Sequence, residues 1–354
     1  TIPVCVAWED GANSGRSCTL LETASDVMRL KGAMCPSVIV PNADGAGYYR
    51  FNLPAEGWSA LGEAFTRLPA AEALAALDSA EAAFNAGGME KDAWLAILMP
   101  AFSHPDAAVV AAAFADAEHL LRQLGMSPAA RDLRTAISAR LDTQMAATGA
   151  ELEARLAAFR ALTLQDAGAR SELRRRLDTF LSGAGGLSSD EYLPALRVAF
   201  ADGGAEAFGA VLEARPRIDD AAFTQAVADA IGAVVQPDLA RRAEDLMIDG
   251  TLGPNASYSI ASSLMANPLH RAKTWARLKS DFPAFLAVIP SQSRRATPRL
   301  ARAFCDPAIV PELDALFTEH AALATGHAQS LAETKEYLSL CAVQAEAART
   351  AFAR

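Results

Sequence analysis

The chain has 354 residues, 51% hydrophobic and 21% charged, with a formal net charge of −10. That length allows about two domains with a buried core, and the acidic balance argues against nucleic acid or an anionic lipid surface as the main partner. The longest strongly apolar runs, Ala93 to Phe102 and Ala107 to Ala115, are far shorter than the roughly 18–20 residues that span a bilayer, so no membrane span is expected.

Residues 1–53 carry strand signals at Ile2–Trp8, Ser17–Leu21, Val27–Leu30 and Ser37–Val40, punctuated by Gly, Asn and Ser. Between them, Gly11 to Ser17 has a superficial likeness to a phosphate-binding loop. It is one residue short between its glycines, carries Arg16 where Lys is required and opens no helical pattern, so it reads as a hairpin turn. Asn42-Ala43-Asp44-Gly45 is a turn cluster between Val40 and Tyr48 and predicts a second hairpin over Pro41–Leu53. So few strands bury barely one face, and the sheet should pack on the helical part or be completed by further chain.

From Trp58 onward the hydrophobic period changes to that of helices. Starts are expected at Pro69, Pro105, Ser127-Pro128, Ser189-Asp190, Asp219-Asp220, Pro237, Asn267-Pro268, Thr297-Pro298 and Asp306-Pro307, because Pro suits the first helical turn and Ser, Thr, Asp or Asn cap it. Stops are expected at Gly87-Gly88, Gly125, Gly183 to Gly186, Gly203-Gly204, Gly250 and Gly326. The fold class is therefore mainly α: a solenoid of the HEAT or armadillo kind over 56–354, preceded by a small β-sandwich segment over 1–55. No strict repeat supports a fixed period, so a compact multi-helix domain is the structural alternative. A stacked array would offer a concave face for extended peptides or partner domains.

Aromatic residues make up 7% of the chain, and abundant alanine, the best intrinsic helix former, favours closely packed helices. Lysine occurs only at Lys31, Lys91, Lys273, Lys279 and Lys335. The arginine and alanine bias suggests a GC-rich bacterial coding sequence, soluble and either cytoplasmic or exported. The chain begins at Thr1 inside a strand-like run, without a leader, and reads as a fragment whose targeting signal lay upstream or was removed. Cys5, Cys18, Cys35, Cys305 and Cys341 are too scattered for a disulfide framework and read as buried free thiols. Cys5 and Cys18 could also face each other across paired strands, which leaves one disulfide open.

Chemistry-bearing motifs are sparse. None of His104, His119, His270, His320 and His327 begins a His-Glu-x-x-His motif. His320 and His327 stand about 10 Å apart along a helix, too far to share a metal, so surface or capping roles are expected for the histidines. Asp219-Asp220 sits at a helix start, where the dipole favours carboxylates. Arg174-Arg175-Arg176 is flanked by Glu172 and Asp178 and reads as a solvated face. From Phe282 through Cys305 no acidic residue occurs, while Arg294, Arg295, Arg299 and Arg302 form a basic island. If Thr297 caps a helix there, Arg299 and Arg302 share a face of its first turns, where the dipole disfavours cations. A carboxylate ligand would suit Arg294, Arg295 and Arg299; ion pairs with neighbouring helices are the plainer reading.

Several segments, taken in order, carry a resemblance. Gly47-Tyr48-Tyr49-Arg50 before the helices, Trp58-x-x-Leu61, Ala201 to Phe208 with its Gly-Gly and aromatic, Asp249 to Asn255, Asn267-Pro268-x-x-Arg271 with Trp275, Phe282, and Ala303 to Asp306 together resemble the C-terminal region of zinc aminopeptidases of the aminopeptidase N and puromycin-sensitive aminopeptidase family. The resemblance covers essentially the whole chain and is nearest to the puromycin-sensitive and endoplasmic-reticulum types. It implies a parent enzyme that removes N-terminal residues from peptides with one zinc in an upstream catalytic domain, which would be this chain's partner along with peptide substrates. It implies no catalytic residue and no cofactor within the chain itself, whose helical part would cap that active site. Tyr48 and Tyr49 are expected to be packing residues of a strand. The other functional class is a free-standing helical scaffold that binds another protein.

Overall fold

The computed structural model describes residues 1–30, 35–147 and 149–353. Strands β1 (Ile2–Asp10), β2 (Asn13–Leu21) and β3 (Val38–Val40) form an antiparallel sheet in the order β2-β1-β3. Gly11 takes a positive φ of 61° in the tight turn joining β1 to β2. Trp8 lies opposite Gly15, where any Cβ would run into the indole ring, and this close approach leaves Trp8 only 4% exposed. Cys5 pairs with Cys18 in the same register, and the two form a disulfide.

Two strand expectations are corrected. Residues 22–30 form no strand, and Val27 is 85% exposed. Thr23 and Asp26 instead bond their own neighbourhood, with Thr23 donating to the Ser25 carbonyl and Asp26 accepting from the Val27 N–H, a local satisfaction that competes with strand pairing. The turn at Asn42–Gly45 forms, its Asn42 side chain bridging both backbone polar groups of Gly47, but no strand follows it. Tyr49 donates its hydroxyl to the Pro41 carbonyl at 2.7 Å, and Arg50 reaches Asp78 at 2.8 Å. Side-chain bonds thus replace a ladder, and Tyr48 stands fully exposed rather than packed.

Helices follow without further strands among the described residues: α1 (Ala55–Ala64), α2 (Ala70–Asn85), α3 (Lys91–Ala101), α4 (Ala107–Leu124), α5 (Pro128–Gln144), α6 (Ala150–Ala158), α7 (Ala167–Leu181), α8 (Ser189–Asp202), α9 (Gly204–Ala214), α10 (Ala221–Ala230), α11 (Pro237–Asp249), α12 (Pro254–Ala266), α13 (Arg271–Ser280), α14 (Phe282–Val288), α15 (Ser291–Arg294), α16 (Val310–Glu319) and α17 (Ala328–Ala353). The caps explain many of these starts. Asp106, Ser127, Asp166 and Asp220 accept from backbone N–H groups at the heads of α4, α5, α7 and α10, and Ser188 with Glu191 makes a capping box for α8. Gly250 closes α11 in the left-handed conformation at φ 69°. Asn267-Pro268 does not open a helix; α13 begins at Arg271, and the Asn267 side chain accepts from the Leu269 N–H through Oδ1 while its Nδ2 donates to carbonyls of the preceding layer.

By compactness the chain divides into two units, Thr1–Arg155 with Gln344–Arg354, and Leu156–Val343. In the first, α1 packs on α3, and α2 on both α3 and α4. Phe65, Phe102, Trp58 and Trp94 are fully buried there. In the second, α8 packs on α10, α10 on α12, and α12 on the 3-10 segment Thr297–Phe304. Helices two places apart in sequence are thus neighbours in one layer, the arrangement of stacked helical hairpins. Phe180, Tyr192 and Phe223 meet at centroid distances of 5.3–5.4 Å in this unit's core, which also holds Phe200, Phe208, Phe285 and Phe317.

Candidate functional site

The basic island lies in the second unit, between α12 and α17. Its first part is the short α15, ending at Arg294; its second is an eight-residue 3-10 run, Thr297–Phe304, which buries Thr297, Pro298, Leu300 and Ala301. Thr297 is not the cap expected of it. Ala296 holds that place, and the Thr297 hydroxyl donates back to the Arg294 carbonyl at 2.7 Å. Because the turns are 3-10 rather than α, residues three apart eclipse one another, so Arg299 and Arg302 share one line.

That line faces α17. Glu333 lies 3.3 Å from Arg299 and 3.6 Å from Arg302, and it also accepts from Gln329 at 3.0 Å. Arg302 donates from Nε to Thr334 Oγ1 at 3.3 Å and sets its guanidinium 5.2 Å from the centre of the Tyr337 ring. Tyr258 of α12 donates to the Ala296 carbonyl at 3.2 Å. Burial pushes its hydroxyl pKa up, against the opposing pull of Arg299 and Arg302. The ion pairing read as the plainer account therefore holds for Arg299. Arg294 donates from Nε to the Ile289 carbonyl at 3.4 Å, and Arg295 is exposed with no carboxylate partner among the described residues. One carboxylate stands against the guanidiniums of Arg299 and Arg302, and the chemistry left over is attraction for an anion of planar, bidentate geometry.

Glu333, Thr334 and Tyr337 were not singled out from the sequence. The available signal was Glu333, Tyr337 and Cys341 at intervals of four, one face of a helix, but nothing in the sequence said which face it would meet. Cys341 is bonded to Cys305. Four of the cysteines are therefore in disulfides rather than free, and Cys35 is exposed rather than buried.

Other charged clusters resolve structurally. In the Arg174–Arg176 run, Arg174 pairs with Asp178 and Arg175 with Glu172 on the surface, but Arg176 reaches Glu191, whose side chain is only 7% exposed. That residue is a structural tie rather than part of a solvated face. His104 and His270 are buried and bond backbone carbonyls of Leu68 and Val234. Asp116 of α4 faces Glu81 and Asp78 of α2, and its pKa is pushed up to about 8, first by burial and then by those carboxylates. A shallow groove of about 460 Å³ runs between the heads of α10 and α12, lined in part by Asp219, Thr224, Gln225 and Asn255. Among the described residues no group of three or more His, Cys, Asp or Glu could hold a metal ion, so the side chains here do not fit a zinc centre. No helix among them is long and apolar enough to cross a membrane.

A small β segment followed by layered helices defines a helical-repeat domain. The profile of the ERAP1-like C-terminal domain matches residues 38–338, and the chain belongs to that family. Comparison with curated proteins gives no match. Family membership suggests that the chain is part of an aminopeptidase.

Proposed function

We propose that this chain is the non-catalytic C-terminal part of a zinc metallo-aminopeptidase, in which the helical array caps the active site and controls how peptides reach it. The family match over residues 38–338 carries the reading. Zinc and the groups that activate water belong to the upstream catalytic domain. This chain's own chemical contribution is the basic segment: Arg294, Arg295 and Arg299 hold the carboxylate end of a longer peptide while its N-terminus lies at the zinc. Arg295 leads because no carboxylate of the described residues satisfies it, so an incoming anion displaces only water. Arg299 contributes once the ligand competes with Glu333.

The reading is tested in the full enzyme by replacing Arg295 with Ala and comparing kcat/KM for long peptides against dipeptide-like substrates. Expected is a loss of about tenfold for long peptides with short substrates unchanged. Equal losses on both would remove the arginines from peptide recognition. The chain expressed alone should show no peptidase activity with or without added zinc.

A further inference from the structure

Arg299 and Arg302 fall three apart on the 3-10 run and so lie on one line, and Cys305, three residues further on, follows the run as its left-handed C-cap. On α17, Glu333, Tyr337 and Cys341 fall at intervals of four and share one face. The two lines meet rung by rung: Arg299 with Glu333, Arg302 with Glu333, Thr334 and Tyr337, and Cys305 with Cys341 through a disulfide. Only the last rung is covalent. Both of its cysteines are partly exposed, so a thiol reductant can reach it. The polar rungs are themselves weak, since the side chains of Arg299 and Glu333 are 50% and 39% exposed and such ion pairs add little. Yet the 3-10 run extends over eight residues, well beyond the three or four such helices usually reach, and Cys305 at its end is held at a left-handed φ of 51°. Something outside the run keeps it in this form.

We infer that the Cys305–Cys341 disulfide is a redox-sensitive latch: closed, it holds Glu333 on the arginines; opened, it releases Arg299 and Arg302 to an external carboxylate. The reductant is a dithiol. One of its thiolates attacks a sulfur of the disulfide and forms a mixed disulfide. Its second thiol then displaces the remaining cysteine, so that Cys305 and Cys341 end as thiols carrying the reductant's two protons and the dithiol ends as a disulfide. The regulatory consequence rests on the reading of this segment as a carboxylate site, whereas the latch itself rests on the contacts alone.

The test uses the full chain in three forms: oxidised, reduced with dithiothreitol, and Cys341→Ser without reductant. Alkylation and mass measurement fix the state of each cysteine, and amide hydrogen exchange reads the segment. Expected is a fall in protection of about tenfold or more over 297–305 in both opened forms, with α8 and α10 unchanged. Unchanged protection with both thiols free, loss of protection throughout the unit, or free Cys305 and Cys341 in the oxidised protein would each overturn the latch. In a second arm, a peptide with a free C-terminus and its amide are titrated into each form. Preference for the free acid should strengthen about tenfold on opening and in oxidised Glu333→Gln. If no form prefers the acid, the carboxylate reading falls and hydrogen exchange still decides the latch. If preference is the same open and closed, the latch does not regulate the site.

Discussion

His104 and His270 stand in the same relation to their surroundings: each sets Nε2 about one hydrogen bond from a carbonyl 36 residues earlier in the chain, Leu68 at 3.0 Å and Val234 at 2.9 Å. One lies in each compact unit. Beside His270, Asn267 donates to the carbonyls of both Gly232 and Val234, at 2.8 and 3.0 Å. The loop before α13 therefore ties down the end of the preceding layer, and Asn267→Ala takes its donor from the Gly232 carbonyl while leaving Val234 with His270. The expected loss is about 1–3 kcal/mol, read as a lower urea midpoint with unchanged slope. A cost below a few tenths would mean that water replaces the amide.

Two glycines should respond in opposite directions to the same change. At Gly232 a Cβ would run into the backbone of Ser263 and Leu264 in α12, whereas at Gly209 in α9 it would meet nothing within 4 Å. Gly232→Ala is expected to destabilise by about 1–3 kcal/mol, and Gly209→Ala to stabilise by about 0.5–1 kcal/mol through helix propensity. Thermal melts of the two variants decide it; shifts of the same sign would show that the approach of residue 232 to α12 is not tight.

The arginine run separates by partner. Arg175→Ala removes a fully exposed surface pair with Glu172 and should leave the denaturation midpoint unchanged, since solvent screens such a pair. Arg176→Ala leaves the buried carboxylate of Glu191 without its guanidinium and should cost about 3 kcal/mol. Denaturant titration of both variants checks the contrast, and equal effects would contradict the burial of Glu191.

Acidity supplies a fourth prediction. Folded Asp116 keeps its proton to about pH 8, whereas an unfolded Asp releases it near pH 4. The folded chain binds more protons between these values, so this residue's contribution to stability is greatest at low pH and declines as pH rises through about 4 to 8. Facing it from α2 are Glu81 and Asp78, the latter held low chiefly by its hydrogen bond to Arg50. On its own helix lies His119, whose basicity burial lowers. Asp116→Asn should flatten this part of the pH profile and raise the melting temperature at pH 9 by a few degrees, roughly 1–2 kcal/mol. Parallel profiles for the two proteins would place the titration elsewhere.

Much of the fold could be read from local chemistry. Ser127 before Pro128, Asp220 before Ala221 and Gly250 after Asp249 each carry their own capping mechanism, and the sequence signals fell at those places. Long-range satisfaction was not legible. Asn267 accepts from the Leu269 N–H as a cap would, but its amide nitrogen reaches carbonyls of Gly232 and Val234, 35 and 33 residues earlier. Arg50 has the setting of a strand residue but binds Asp78. The same holds for the candidate site. The acid-free run around Arg299 was visible, but its counter-ion is Glu333, 34 residues later on another helix.

The choice of a 3-10 run opposite α17 has a metrical basis. A 3-10 helix advances about 2.0 Å per residue, so three residues cover about 6 Å. An α-helix advances about 1.5 Å per residue, so four residues cover the same length. The segment carrying Arg299, Arg302 and Cys305 and the face carrying Glu333, Tyr337 and Cys341 are thus two rulers with different divisions and a common interval. Rewound as an α-helix, the arginine segment would advance only about 4.5 Å between successive rungs and fall out of step by the third. The hydrogen-bond pattern of those eight residues is the gauge that keeps their charges opposite one carboxylate.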